Sequence, residues 1–376
     1  MGFEYIPLGE VSEVTKLAGF EFTKYINYND TGEIIALRAL NLRHGELDLT
    51  DIKRIDKAVS DSLPRSKLFT GDILLTYTGN GYGDCAIITD NNKYHLAPNI
   101  CKITPNAEKI DPYFLYSYIR SHEFYQQMSN HMVGSSQPTI PMKTIRQLKV
   151  PVPDLEEQKK IKMVVMAIDE KIRVNRQIND NLQQQIVSIF NSQYAPSLRL
   201  ANWTVGTVGD VVTLQRGYDL PKDKMIHGSY PVAGSTDTIF YHNDFTTEAP
   251  CIVMGRSGNI GNPRLYMEKC WAHNTTLFVK DFKSNNPYWS YYMLRAIDYS
   301  QFRGGSAVPT LNRNHVHSFE IAIPPINQQN EFAERILPLL LLIENNRVEI
   351  NALSELRDSI LPQLMSGALD ISAIHV

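Results

Sequence analysis

The sequence predicts a chain of the mixed α/β class, of the α+β kind, with two globular sheet-containing heads separated by two long antiparallel helices that form a coiled coil. Three observations predict it. Leu155 to Gln193 reads as one helix with a heptad seam, and the seam recurs in the same register 171 residues later. The stretch ahead of each helix also carries the same short motifs in the same order.

The first seam runs Ile161, Val165, Ile168, Ile172, Asn175, Asn179, Leu182, Ile186, Ile189, in alternating steps of four and three. The second runs Phe332, Ile336, Leu339, Ile343, Asn346, Ile350, Leu353, Arg357, Ile360. Such a stripe needs another helix to cover it, and two matched stripes in one chain most simply cover each other. At ~1.5 Å per residue the first helix is roughly 57 Å long, far more than a small domain needs. Antiparallel pairing would place the heads at opposite ends, related by a pseudo-twofold. It would also bring Met1 and Val376 together beside the first head. Asn175, Asn179 and Asn346 in the seam either set its register, at a cost in stability, or face solvent near a rod end.

A chain of 376 residues is long enough for two or three domains. The expected division is 1–150 for the first head, 151–195 for the first long helix, 196–323 for the second head, and 324–376 for the second long helix and tail. In the first head, runs such as Ile34-Ile35-Ala36-Leu37 and Asp72-Ile73-Leu74-Leu75 between turn-formers suggest a sheet-rich fold with few helices. Asp111-Pro112 opens the clearest helix, an N-cap acid followed by proline, continuing from Tyr113 to Arg120. The loop Gly134-Ser135-Ser136-Gln137-Pro138-Thr139-Ile140 and the strand Leu148 to Pro153 follow. The second head repeats the order: Val208-Gly209-Asp210-Val211 for Leu8-Gly9-Glu10-Val11, then Asn286-Pro287-Tyr288-Trp289, then Gly305-Ser306-Ala307-Val308-Pro309-Thr310-Leu311, then Phe319 to Pro325. The offset between copies drifts, which places the extra length of the first head at about Phe22 to Lys67. The rods share a frame while the heads diverge, so specificity is expected in the heads.

With 43% hydrophobic and 20% charged residues, the chain is globular rather than disordered. No apolar run is long enough to cross a bilayer, Ile336 to Ile343 being broken by Pro338, so no membrane partner is expected. Met1-Gly2-Phe3-Glu4-Tyr5 carries no export signal. Cys85, Cys101, Cys251 and Cys270 lack CxxC spacing, so free thiols in a reducing cytoplasm are expected and a metal site is not. The net charge of −3 does not by itself predict a nucleic-acid partner. Its acidic excess falls on the last helix, however, and leaves the heads near neutral.

No catalytic site emerges. The Asp111-Pro112-Tyr113-Phe114 and Asn286-Pro287-Tyr288-Trp289 runs resemble a truncated amino-methyltransferase signature, but both lack its second proline, and capping explains them. Gly79-Asn80-Gly81-Tyr82-Gly83 has no strand–loop–helix context for a cofactor. His315-Val316-His317 has no counterpart in the first head, where Thr144 and Arg146 stand. What remains is a pair of polar glycine loops: Thr76-Tyr77-Thr78-Gly79-Asn80-Gly81-Tyr82 matches Gly255-Arg256-Ser257-Gly258-Asn259-Ile260. Amides, hydroxyls and arginines read base edges, and glycine admits close backbone approach; plain hairpin turns are the alternative. The candidate DNA contacts in the first head are Arg38, Asn41, Arg43, Thr78, Asn80, Tyr82, Ser135, Ser136, Gln137, Thr139 and Lys143. In the second they are Ser235, Arg256, Ser257, Asn259, Arg303, Ser306, Thr310, Asn312 and Arg313.

Two divergent heads, each closing on a Gly-Ser-x-x-Pro-Thr-type loop, a strand and Pro-x-x-x-x-Gln before a long helix, resemble the specificity subunit of type I restriction–modification systems. The motif stands here as Pro153-Asp154-Leu155-Glu156-Glu157-Gln158 and Pro324-Pro325-Ile326-Asn327-Gln328-Gln329, and the tail Leu361 to Leu369 is similar to the family's ending. The resemblance implies a non-catalytic reader of double-stranded DNA. Its two target recognition domains would each read half of a bipartite asymmetric site, with the helices setting the spacer. Two methyltransferase subunits and restriction subunits would be its partners, and S-adenosylmethionine, ATP and magnesium would belong to those partners. A duplicated coiled-coil scaffold without DNA specificity and a self-contained DNA-modifying enzyme are the alternatives.

Overall fold

The computed structural model describes residues 3–43, 45–79, 81–134, 138–195, 197–198, 200, 202–302 and 310–371. They form two compact units, one of residues 1–174 and 348–376, the other of 175–347. Each unit takes one head together with the adjoining halves of both long helices.

The first unit is built on a four-stranded antiparallel sheet in the order Ser12–Lys16, Ile100–Pro105, Ile73–Thr76, Cys85–Ile87. A second sheet sets Ile34–Leu37 between Lys53–Ile55, antiparallel, and Tyr94–Leu96, parallel. Tyr5–Pro7 pairs with Lys149–Pro151. The strand Ile73–Thr76 shows why these elements read as unbroken apolar runs. Its side chains alternate between two cores, Ile73 and Leu75 in one and Leu74 in the other, so neither face meets water.

The second unit repeats this plan within itself. Its four-stranded sheet runs Thr213–Arg216, Thr276–Asp281, Cys251–Gly255, Gly261–Tyr266. His227–Ala233 lies between Thr238–His242, antiparallel, and Trp271–Ala272, parallel, and Thr204–Thr207 pairs with Glu320–Ile323. Ile252 and Met254 enter one core, Cys251 and Val253 the other. The first unit adds the hairpin of Leu42–Arg43 and Glu46–Leu47 and the helix Lys57–Ser62, both within the stretch where the sequence offset drifts. It is also more helical than its sequence suggests. Gly19–Tyr25, His122–Ser129 and Met142–Gln147 are helices of six to eight residues, too short for a 3.6-residue period to stand out.

Leu155–Gln193 and Ile326–Ser366 are continuous helices, and no residue of either seam is exposed. Within the first unit, Ile161 and Val165 share a core with Leu361 and Leu364, and Lys171 Nζ lies 3.3 Å from Glu349. Within the second, Phe190 packs on Phe332, Arg335 donates to Gln193 (3.0 Å), and Asn346 Nδ2 donates to Asn179 Oδ1 (2.9 Å). From Ile161 to Lys171 the partner number falls from Leu361 to Glu349, and from Asn179 to Phe190 it falls from Asn346 to Phe332, so the paired segments of each unit run antiparallel. Asn175 and Asn346 are 1% and 8% exposed, so the seam asparagines are interior groups rather than solvent-facing ones.

The Pro-x-x-x-x-Gln motif has a structural role. Gln158, 0% exposed, accepts from the Asp111 N–H (2.7 Å) and donates to the carbonyls of Pro153 (2.8 Å) and Lys109 (3.1 Å). Gln329, 1% exposed, accepts from the Asn286 N–H (2.9 Å) and donates to Pro324 O and Asn285 Oδ1 (2.9 Å each). Asp111 and Asn286 in turn cap Pro112–Ile119 and Pro287–Arg295, each accepting from two backbone N–H groups. The glutamine thus ties the start of a long helix to the capped helix of its own head. The expected closure at the chain ends is also built: Leu361, Leu364, Met365 and Ile371 lie in the first unit's core, against which Phe3, Tyr5 and Ile6 pack. Met1 and Val376 themselves lie outside the described residues.

Candidate nucleic-acid interface

In both heads the glycine loop leaves the central strand and docks on the Pro-Thr segment through the same backbone contacts. In the first head, Ile140 N–H donates to Tyr77 O (3.0 Å), Gly79 N–H donates to Pro138 O (2.9 Å), and Thr78 bridges Thr139. In the second, Leu311 N–H donates to Arg256 O (2.8 Å) and Ser257 bridges Thr310. Tyr77 and Arg256 therefore hold equivalent places, as do Thr78 and Ser257.

A second loop is equivalent as well. The turn that begins at Arg38 follows Ile34–Leu37, and the turn that begins at Gly234 follows His227–Ala233, each the middle strand of its three-stranded sheet. Arg38 N–H closes the first turn onto Asn41 Oδ1 (3.0 Å); Gly234 N–H closes the second onto Asp237 O (2.8 Å). In the second head this turn reaches the glycine loop. A Cβ on Gly255 would meet Asn259 O at 1.7 Å and Ser235 O at 2.9 Å, so only glycine lets the three segments converge.

Several expected contacts have partners within their own head. Asn41 is 0% exposed and gives its amide to the carbonyls of Asp48 and Asp51, at 2.8 Å each. It organises a loop and presents no edge to a base. Thr78 is buried, its hydroxyl 2.6 Å from that of Thr139, so this pair staples two segments. Arg38 is committed to Asp51, through both carboxylate (3.1 Å) and carbonyl (2.8 Å). The Asn312 side-chain oxygen caps Arg313–His317 by accepting from the Asn314 N–H.

Other candidates stay outward. Arg43, near Asp48 at 3.7 Å, Lys143, Thr310 and Arg313 are exposed, as is Asn259, which accepts from Asn262. Ser235, Arg256 and Ser257 are half-buried at the loop junction. Tyr82 is half-buried and stacks on Tyr125, with ring centroids 5.2 Å apart. Asn80, Ser135, Ser136, Gln137, Arg303 and Ser306 lie outside the described residues.

Sheet register brings forward one pair that the motif search missed. Lys16 faces Cys101 and Arg216 faces Leu277, at the same end of the same strand in each head. Lys16 Nζ sits 5.4 Å from the Tyr77 ring centroid, and Arg216 Nε donates to Asn274 O (3.4 Å), both beside the glycine loop. The signal was available in the 200-residue offset between Leu8-Gly9 and Val208-Gly209, which aligns Lys16 with Arg216.

At the base of the loops the heads differ in polarity. Arg146 donates to Val14 O (2.7 Å), whereas His317 Nε2 accepts from the Leu214 N–H (2.8 Å). Burial, with Lys283 and Arg313 nearby, holds the His317 imidazole below its ordinary value and keeps it neutral, as an acceptor must be. Among the described residues no His, Cys, Asp or Glu cluster is placed to hold a metal, and no helix is long and apolar enough to cross a membrane.

Comparison with known proteins places this geometry. A family profile described as "Type I restriction modification DNA specificity domain" matches twice, over residues 1–184 and 201–355. The chain belongs to the type I restriction–modification DNA specificity family. Among its relatives is the putative type I restriction enzyme MjaX specificity subunit of Methanocaldococcus jannaschii, 22% identical over 377 residues, a match covering 89% of this chain and 87% of that protein. The HindI specificity subunit of Haemophilus influenzae is 27% identical over 181 residues, 46% of this chain and 37% of that protein. The crystal structure of the type I restriction–modification S subunit from M. genitalium shares the fold at a TM-score of 0.57 and 14% identity, covering 96% of each chain. Each match spans one head and most of the long helix that follows it, so the duplication is one of specificity domains.

Proposed function

We propose that this specificity subunit reads a bipartite, asymmetric duplex DNA site, one half with each head, and that its two long helices set the unread spacer. One observation carries the reading: the same loop junction is built twice on the same strand order, with different side chains at equivalent places, Tyr77 against Arg256 and Lys16 against Arg216. A duplicated frame with divergent tips fits a two-part, non-palindromic target. Direct contact then comes from the outward candidates, Arg256 and Arg43 suiting guanine and Asn259 suiting adenine. The chain itself performs no reaction. Methyltransferase and restriction subunits dock on it and bring S-adenosylmethionine, ATP and magnesium.

Mapping methylated bases in a host that carries the system tests this. The expected motif is two short blocks separated by a fixed gap. Arg256→Ala should weaken discrimination at one position of one block, by ~1–3 kcal/mol if the arginine is bidentate to guanine. An equal loss at every position would make it a phosphate contact, and a contiguous motif would overturn the two-head reading.

A further inference from the structure

We propose that a glycine–tyrosine clasp fixes the far end of each reading loop, making Tyr125 and Tyr299 positioning residues for the two half-sites. This rests on the proposed reading that the glycine loops meet the bases.

In the first head the loop ends at Gly83, where φ is +90° and an added Cβ would lie 2.8 Å from the Tyr125 ring. In the second the loop ends at Gly261, where φ is +78° and an added Cβ would lie 2.5 Å from the Tyr299 ring. Both conditions call for glycine: the left-handed backbone, and a ring seated where a side chain would begin. Both tyrosines come from the segment after the capped head helix. Tyr125 lies in His122–Ser129, which follows Pro112–Ile119; Tyr299 opens Tyr299–Phe302, which follows Pro287–Arg295. The device thus recurs at the same topological place in two heads whose loop sequences differ.

Its details separate the heads. Tyr299 is buried and donates its hydroxyl to Leu294 O (3.0 Å). Tyr125 is 40% exposed, its ring stacks on Tyr82 at an interplanar angle of 15°, and its hydroxyl donates to that of Tyr82 (2.7 Å). Each loop is therefore held at its start by the backbone bridge, Thr78 to Thr139 or Ser257 to Thr310, and at its end by a ring on glycine. A side chain that reads a base edge must be held to within about 0.5 Å, and fixing both ends of a short loop supplies that constraint.

The test uses the full chain with its methyltransferase partners and maps methylated bases for wild type, Tyr125→Ala, Tyr125→Phe and Gly83→Ala. Tyr125→Ala and Gly83→Ala are expected to lower discrimination against one-base mismatches by about tenfold, the order of a single mismatch penalty, in the same half-site. The other half-site and the spacer should stay unchanged. Tyr125→Phe keeps the ring on Gly83 and should lose less. Tyr299→Leu should loosen the opposite half-site, and Tyr299→Phe should leave it intact. The clasp is overturned if Tyr125→Ala and Gly83→Ala both methylate with undiminished discrimination, or if they loosen both half-sites alike. A contiguous wild-type motif would strike instead at the two-head reading.

Discussion

Replacing Gln158 with leucine removes three hydrogen bonds at a position closed to water, and the cost can be worked from what is left behind. The Asp111 N–H loses its acceptor, at 2.7 Å, and the carbonyls of Pro153 and Lys109 lose a donor each. At about 1 kcal/mol for each bond, with a buried donor left bare, the loss comes to about 3 kcal/mol. Gln329→Leu should cost the same in the second unit. Urea denaturation separates the two, because Trp203, Trp271 and Trp289, the only tryptophans, all lie in the second unit. Their fluorescence should follow Gln329→Leu, while circular dichroism follows both variants. Gln158→Glu gives the sharper control. It keeps the acceptor for Asp111 but turns its other oxygen toward two carbonyl oxygens, which repel a carboxylate. The folded-state pKa of this glutamate should therefore rise above its unfolded value, so folding takes up a proton and relative stability recovers as pH falls through the raised value. A glutamate variant as stable as wild type at neutral pH, or one that weakens further on acidification, would refute the assignment of Gln158 as a double donor.

The remaining predictions concern charge. Asp169 takes Arg120 (2.8 Å), Arg357 (2.9 Å) and the Tyr113 hydroxyl (2.7 Å) within the first unit. Burial alone would raise its carboxyl, but Arg120 and the hydrogen bonds from Tyr113, Arg357 and Arg120 hold it below the ordinary value of 3.8. Asp169→Ala takes the carboxylate from the mostly buried Arg120 and leaves Arg357 with Asp358 alone (2.9 Å), and should cost about 3 kcal/mol at neutral pH. Its folded pKa is depressed, so the wild-type advantage is present above 3.8 and fades as pH falls through the folded value; a gap unchanged on acidification would count against a charge origin. For His317 the sign is also set by a depressed value, but on a base. The unfolded chain binds the proton first, so tryptophan-detected stability should decline as pH drops through 6.5. His317→Asn should flatten part of that decline, and an identical pH profile in the variant would remove the Leu214 contact from the account.

The frame was legible in the sequence because its physics is periodic or local. A seam spaced four and three demands a covering helix, and an acid followed by proline starts a helix wherever it stands. The rods, the capped head helices and the repeated order of strands all followed from such patterns. The reading loops were legible only as compositions. Asn41 has the chemistry of an adenine contact, and nothing in its neighbours reveals that Asp48 and Asp51 turn their carbonyls back onto it. Lys16 and Tyr125 have unremarkable neighbours in sequence. They enter the site through strand register and a ring packed on glycine, which are non-local facts. The short helices of the first head were missed for a related reason, being fixed by packing rather than by a period of their own.

The two glutamines and the two tyrosines occupy different levels of one design. Gln158 and Gln329 are identical in role and nearly so in geometry, because the junction of head and long helix must be the same whatever the head reads. Tyr125 and Tyr299 make the same contact with glycine, yet one hydroxyl is turned to a loop tyrosine and the other to a backbone carbonyl. Beyond them, Arg256 stands where Tyr77 does, and a four-residue turn stands where the first head inserts the hairpin of Leu42–Arg43 and Glu46–Leu47. Divergence thus grows with distance from the rod. A new head would need only the glutamine contact, the capped helix and the ring-on-glycine seat to be presented by the same helices, leaving its tips free to differ.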